Sequence, residues 1–353
     1  MVSSALAGDA SPITIGVILP LTGPASPVGN EMRRGLELAQ DELAAKGGIA
    51  GHPVKFAFED NQARPDLSVI AFNKLTSIED AQVIFSAMSG PTLAIAPLAT
   101  RKRVLEINAG AQADALNTAS PYLFNTLPTV SREAGILAKY LVEKGMKTAG
   151  ILYENAAAGE AGRDGFAQAF EQAGGKVIGE EPAQFGQADF RPPLLKLAAA
   201  NPEVIFASVT VDQLELAQQY RQLAGKAPLA GTTLLYSTKL LSDPAASNGL
   251  IYSAIHIEAP KELNDAYKAR FGADMPLFAK QYYNASQMIF SVMEGLAKEN
   301  KEITGDTMRA YILEKKTFQN LVKLIFNSNT AETQLDIKVM QDGKSELVTS
   351  VEP

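Results

Sequence analysis

The chain has 353 residues, 46% hydrophobic and 20% charged, an ordinary soluble globular composition whose core needs neither disulfides nor metal. A formal charge of −7 leaves no basic stripe to displace counterions, which argues against a nucleic-acid partner. With no cysteine and only two histidines, His52 and His256, a thiol nucleophile, a zinc cage and a serine triad all lose their chemistry, and no cofactor or metal is expected.

The length favours two domains, on a prior of roughly 100–200 residues each. No apolar run reaches the roughly 18 residues of a membrane span. Near the N-terminus, Ala5-Leu6-Ala7 has the small residues of a signal-peptidase site without a basic or long apolar region before it, so residues 1–12 read as a signal-peptide remnant or a disordered start. The alternative is a chance run of small residues.

Residues 13–19 (ITIGVIL) form a continuous apolar strand of the kind found in a parallel sheet covered on both faces. A stiff loop, Pro20-Leu21-Thr22-Gly23-Pro24, follows at its C-terminal end. The next helix sets Met32, Leu36, Ala39 and Leu43 on one face and stops at Gly47-Gly48. A strand over 54–58 leads to Asp60, which reads as a helix cap or as a binding or catalytic acid. A helix through Val69, Phe72 and Leu75 precedes the strand QVIFSAM at 82–88.

Ser89-Gly90-Pro91 then starts another helix, with serine as the cap and proline at the first position. VLEIN at 104–108 is the next strand, ending in Ala109-Gly110-Ala111-Gln112. Two strand ends, at Met88-Ser89-Gly90 and at Gly110-Ala111-Gln112, therefore share one edge of a parallel sheet. Small residues there let a ligand approach the backbone, and the free N–H groups of a helix start favour a carboxylate or phosphate. From this stretch alone, Ser89 reads equally as a ligand group and as a plain cap.

A second series of strands and helices begins after Pro128. It comprises a helix over 130–144, the strand TAGILY, a helix through Phe166, Ala169 and Phe170, and strands at 176–178 and 204–208. Its strand-end loops carry Tyr153-Glu154-Asn155-Ala156-Ala157-Ala158 and Val209-Thr210-Val211-Asp212. A strand over 250–257, a helix over 281–298 and two closing strands at 334–340 and 346–351 complete the order. The alternation is that of an α/β fold with two doubly wound, Rossmann-like halves, whose ligands bind outside the carboxyl ends of the strands. No G-x-G-x-x-G follows the first strand and no phosphate loop occurs, so an α/β enzyme has no positive feature.

The segments ITIGVILPLTGPASPVGNEMRRGLELAQDELAAKGGIAGHPV, FEDNQARPDLSVIAFNKL, SGPTLAIAPLA, LYENAAAGEAGRDGF and FASVTVDQLELAQQYRQLAG together resemble the type I periplasmic binding proteins of the leucine/isoleucine/valine-binding branch. The resemblance covers nearly the whole chain. It implies two lobes joined by three hinge crossovers, 13–126 plus 253–327 and 127–252 plus 328–353, closing on a ligand between them. It further implies a secreted, periplasmic monomer without enzymatic activity that delivers its solute to an ABC permease in the inner membrane. A sensor of the same fold feeding a signalling partner is the alternative.

In amino-acid binders of that family, a serine matching Ser89 and the loop matching Gly110 and Gln112 hold the ligand carboxylate. The implied pocket thus takes Met88, Ser89, Gly110 and Gln112, with Thr22, from the first lobe. From the second it takes Tyr153, Ala157, Ala158, Thr210 and Thr233. Tyr153 reads as a stacking ring or as a buried strand-end residue. Where the family places an acid for the α-ammonium, this chain has Thr232-Thr233, and alanines replace a common aromatic. An ammonium in a closing cleft needs a paired charge. The expected solute is therefore a small carboxylate, aromatic or aliphatic, ahead of a branched-chain-type amino acid, with Glu154 or Asp212 as other sources of charge.

Overall fold

The computed structural model describes residues 11–210, 212–223 and 225–352; Ala5-Leu6-Ala7 lies outside them. The first half runs β1 (Ile13–Leu19), α1 (Ser26–Ala45), β2 (Val54–Asp60), α2 (Pro65–Ser77), β3 (Val83–Ser86), α3 (Ser89–Lys102), β4 (Leu105–Asn108) and β5 (Leu123–Asn125). These strands form one parallel sheet in the order β2-β1-β3-β4-β5. The apolar stripe of α1 behaves as its spacing demands: Met32, Leu36, Ala39 and Leu43 are all buried. Left-handed Gly47 and Gly48 then turn the chain toward β2.

The chain crosses to the second unit after β5. There follow α4 (Val130–Glu143), β6 (Thr148–Glu154), α5 (Ala157–Gln172), β7 (Lys176–Ala183), α6 (Arg191–Ala199), β8 (Val204–Ser208), α7 (Gln213–Gln222) and β9 (Leu229–Gly231). Two short helices, α8 (Thr238–Leu241) and α9 (Pro244–Ser247), precede β10 (Ile251–Ile255). Strand β10 pairs with the later strand over residues 335–339 through Ile255, so the chain leaves this sheet after Ile255 and not at residue 253. Packing of α4 on α5 is close: a Cβ on Gly165 would come within 2.4 Å of the Ser131 Cα. Phe166 stacks between Phe170 and Phe206, with ring centroids 5.2 and 4.1 Å away.

The chain then returns with α10 (Lys261–Phe271), α11 (Leu277–Lys298), α12 (Gly305–Lys315) and the hairpin β11 (Thr317–Gln319) and β12 (Lys323–Ile325). The Met and aromatic stripe on α11 is core: Tyr282, Met288, Ile289 and Val292 are buried, and α11 packs along α1. A third passage, with Thr330 bridging Asn125, leads to β13 (Leu335–Gln341) and β14 (Lys344–Val351). These two close the second sheet, order β14-β13-β10-β9-β8-β6-β7, in antiparallel fashion. Short strand β5 and the hairpin carry too little periodicity to be read from sequence. Among the described residues no helix is long and apolar enough to cross a membrane.

Candidate functional site

The parallel strands of both sheets end toward one cavity of about 280 Å³. On the first unit's side it is lined by the β3–α3 and β4–β5 connections, with Ala63 and Pro65. On the second unit's side it is lined by the ends of β6 and β8 and the β7–α6 loop. Doubly wound sheets put ligands at this place because the strand ends there are bordered by helix starts. An apolar cavity of roughly 150 Å³ accepts benzene, so this one accommodates a ring or branched chain with a polar group attached.

Helix α3 opens differently from the sequence expectation. It begins at Ser89, one turn's edge earlier, with Met88 in the capping position and Pro91 third in the helix. Ser89 makes no capping bond; instead its Oγ accepts the Ala113 N–H at 3.2 Å. The plain-cap reading of Ser89 therefore falls. Met88 has φ +66° and ψ 130°, a conformation costing a non-glycine residue about 1–3 kcal/mol. That turn leaves the N–H groups of Ser89 and Gly90 without partners among the described residues, at the cavity wall.

The neighbouring loop is tied down by Asn108, which the sequence reading passed over. Its Oδ1 accepts the N–H groups of Gly110 (3.0 Å) and Ala111 (2.7 Å), and its Nδ2 donates to Asn125 Oδ1 (2.8 Å). A strand-end asparagine before small residues is the signal that was available. Tyr282 supports both strand ends from below, donating to the Ser86 carbonyl at 2.7 Å. A Cβ on Gly110 would meet that same hydroxyl at 2.8 Å, so only glycine fits.

Of the residues expected at the site, Met88, Ser89, Gly110, Gln112, Ala157, Ala158 and Thr210 line the cavity together. Thr22, Tyr153 and Thr233 are not in its lining. The Thr22 hydroxyl and N–H donate to Asp60, which also accepts the Leu21 N–H at 2.9 Å. Asp60 thus pins the Leu-Thr-Gly-Pro loop and caps no helix; the position before α2 belongs to Arg64. Tyr153 lies under the Arg163 guanidinium, 4.5 Å from its ring centroid. Thr233 is buried behind the wall, its N–H donating to Glu133 Oε2 at 2.9 Å.

Two lining residues carry weight beyond the expectation. Phe185, from the β7–α6 loop, is 40% exposed at the mouth. The adjoining Gly186 comes close to the first unit, since a Cβ there would lie 3.7 Å from Pro24 Cγ. Glu154, named only as a possible charge, is the one ionisable side chain among the described lining residues. Burial pushes its carboxyl up to about 7; Thr210, donating from hydroxyl and N–H, pulls down, and Asp212 pushes further up. Asp212 itself lies outside the lining.

A second buried acid stands behind the wall. Glu133 of α4 accepts the Gln112 side-chain amide at 2.5 Å besides the Thr233 N–H. Burial pushes it up to about 7 despite those bonds. A carboxyl group thus reaches the neighbourhood of Thr232-Thr233 from another helix, where the sequence reading found none. Between the units, Thr238 Oγ1 donates to Glu31 Oε1 at 2.7 Å. The histidines are occupied structurally: Nδ1 of His52 lies 3.0 Å from the Ser11 carbonyl, and Nδ1 of His256 2.9 Å from Asp336.

A family model described as periplasmic binding protein matches residues 12–342. The Leu/Ile/Val-binding protein BraC3 of Rhizobium johnstonii is 28% identical over 247 residues, covering 68% of this chain and 67% of that protein. A solute binding protein of an ABC transporter from Rhodopseudomonas palustris BisB5, in complex with 3,4-dihydroxybenzoic acid, matches with a TM-score of 0.88 at 21% identity over 97% of each chain. LivJ from Streptococcus pneumoniae, in complex with isoleucine, matches with a TM-score of 0.87 at 21% identity, over 97% of this chain and 100% of that one.

Proposed function

Because this chain belongs to the periplasmic binding protein family, we propose that it is the extracytoplasmic receptor of an ABC importer, closing its two lobes on a small carboxylate with an apolar body. The lobes comprise 13–126 plus 256–327 and 127–255 plus 328–353, the second crossing following β10. One observation carries the reading. The Ser89 hydroxyl and the free N–H groups of Ser89 and Gly90 face a largely apolar cavity bounded by both units.

The mechanism follows from that geometry. The carboxylate docks on the first lobe, taking Ser89, the Gly90 N–H and the Gly110-Ala111 stretch as its surroundings. Closure brings the Ala156-Ala158 wall, Thr210 and Phe185 over the apolar body, and removal of that surface from water supplies the driving force, about 25 cal/mol per Å². The solute stabilises the closed form by its differential affinity, and a permease discriminates closed from open. Three passages, after β5, β10 and β12, act as the hinge. No step in this cycle calls for catalysis, and the secreted, periplasmic setting is that of the family.

The ligands bound by two structural relatives, a dihydroxybenzoate and isoleucine, bracket the expected class: each is a small carboxylic acid built on a ring or a branched chain. A thermal-shift screen across amino acids, keto acids and benzoate-type acids tests the reading. A true solute at a hundred times its dissociation constant should stabilise by about 2.7 kcal/mol. A screen in which neutral sugars shift the melting point and acids do not would overturn it.

A further inference from the structure

We propose that Glu154 and Gln112 form an acceptor end to the cavity, so that the solute is an acid carrying a hydrogen-bond donor, an ammonium or a hydroxyl, away from its carboxylate. This rests on the cleft reading above and adds the other half of the ligand's chemistry. Glu154 ends β6 and is 2% exposed. The hydroxyl and N–H of Thr210 both donate to its Oε2, the N–H at 3.2 Å. Both of these bonds fall on Oε2 and none of the described residues bonds Oε1, on a side chain that lines the cavity.

Gln112 completes the acceptor end. Its Nε2 donates to the Pro128 carbonyl at 3.1 Å and to Glu133 Oε1 at 2.5 Å. Two acceptors on one side dictate which end of the amide is nitrogen, and both of its protons are spent there. The amide oxygen is left unpartnered among the described residues. Glu133 is therefore a positioning residue, holding Gln112 with its acceptor free. No lysine or arginine lines the cavity among the described residues. An acid with a wholly apolar body would leave both acceptors facing hydrocarbon, and an unpaired buried acceptor costs about 1–3 kcal/mol.

The sign of the pH dependence separates the two cases. Burial pushes the Glu154 carboxyl up to about 7, and Asp212 is the charged group whose field adds to that rise. A donor on the solute pairs with the ionised form, so affinity for a donor-bearing acid rises as pH increases through 7 and then levels. A bare acid favours the neutral form, and its affinity falls over the same window.

Titration calorimetry tests this with 4-hydroxybenzoate against benzoate and leucine against 4-methylpentanoate, at about pH 6 and about pH 8. The wild-type chain and Glu154→Gln are compared, with melting temperatures alongside. In at least one pair the donor-bearing acid should bind about tenfold or more tighter than its bare partner, and the advantage should widen at the higher pH. In Glu154→Gln it should shrink to about threefold or less. Whether the hydroxyl or the amino pair responds identifies the donor. Bare acids that bind as tightly as their partners overturn the proposal and leave the cleft reading standing. So does an advantage that a wild-type-like Glu154→Gln retains. If that variant fails to fold, a wild-type advantage that is flat or shrinking with pH overturns the proposal. Absence of binding by all four acids removes the cleft reading and this inference with it.

Discussion

The two walls of the cleft are made in different ways. The first unit offers backbone: a strained Met88, two free N–H groups at the start of α3, and a loop clamped by Asn108. The second offers side chains: Glu154, Thr210, Phe185 and the small surfaces of Ala156-Ala158. A backbone wall tolerates few substitutions and suits the group common to many solutes, the carboxylate. A side-chain wall changes with single substitutions and suits the part that varies. The difference assigns affinity for the acid group to the first wall and choice among acids to the second, with Gln112 as the first wall's one contribution to that choice.

The sharpest way to break that division is Ser89→Ala. Loss of a hydroxyl that meets a charged carboxylate should weaken every carboxylate solute by about 1.5–3 kcal/mol, uniformly across a panel, in titration calorimetry. A change confined to one class of acid would move Ser89 to the selective wall. On that other wall, Phe185→Ala should act unevenly. The ring is 40% exposed and gains burial when the cleft closes over a solute, so its removal should cost about 1–2 kcal/mol for bulky apolar bodies and less for small ones. An equal loss for every acid would show Phe185 to be a general latch.

The smallest expected effect concerns the buried acids in and behind both walls. Burial raises Glu106 to about 8 and Glu31, Glu133 and Glu154 to about 7, from an ordinary value of 4.5. The folded chain then binds protons more tightly than the unfolded chain, so stability is fullest below about pH 4.5 and declines as pH rises through 7 to 8. Thermal melts of the ligand-free protein should show a melting temperature that falls by a few degrees from about pH 5 to about pH 8. Glu106→Gln should flatten that slope without changing solute affinity, because Glu106 bonds Ser86 beneath α3 and does not line the cavity. A melting temperature that climbs over the same range would contradict the assignment.

Much of the frame was legible before the structure. The apolar runs at 13–19 and 204–208 and the stripe on α1 dictate parallel strands and a covering helix. Their order dictates where strand ends and helix starts meet. What escaped was short or distributed. Strand β5 has three residues, too few for a period, and α3 begins earlier than Ser-Gly-Pro suggests because Met88 adopts a positive φ that no sequence rule requires. Residues brought together from distant elements were also hidden: Glu133 reaches Thr233 across 100 positions, and Phe185 comes from a loop with no strand-end signature. Thr22 and Tyr153 stand at strand ends yet point their polar groups elsewhere, one to Asp60 and the other under Arg163. Position at a strand end places a residue near the cleft; only packing decides which way it faces.

The most direct measurement is a crystal structure of the complex with the tightest-binding acid from the calorimetric panel. The account predicts the carboxylate within hydrogen-bond distance of Ser89 Oγ and the Gly90 N–H, with the apolar body against Ala156-Ala158. A solute bound with its carboxylate toward Glu154, or lodged outside the space between the two sheets, would contradict it.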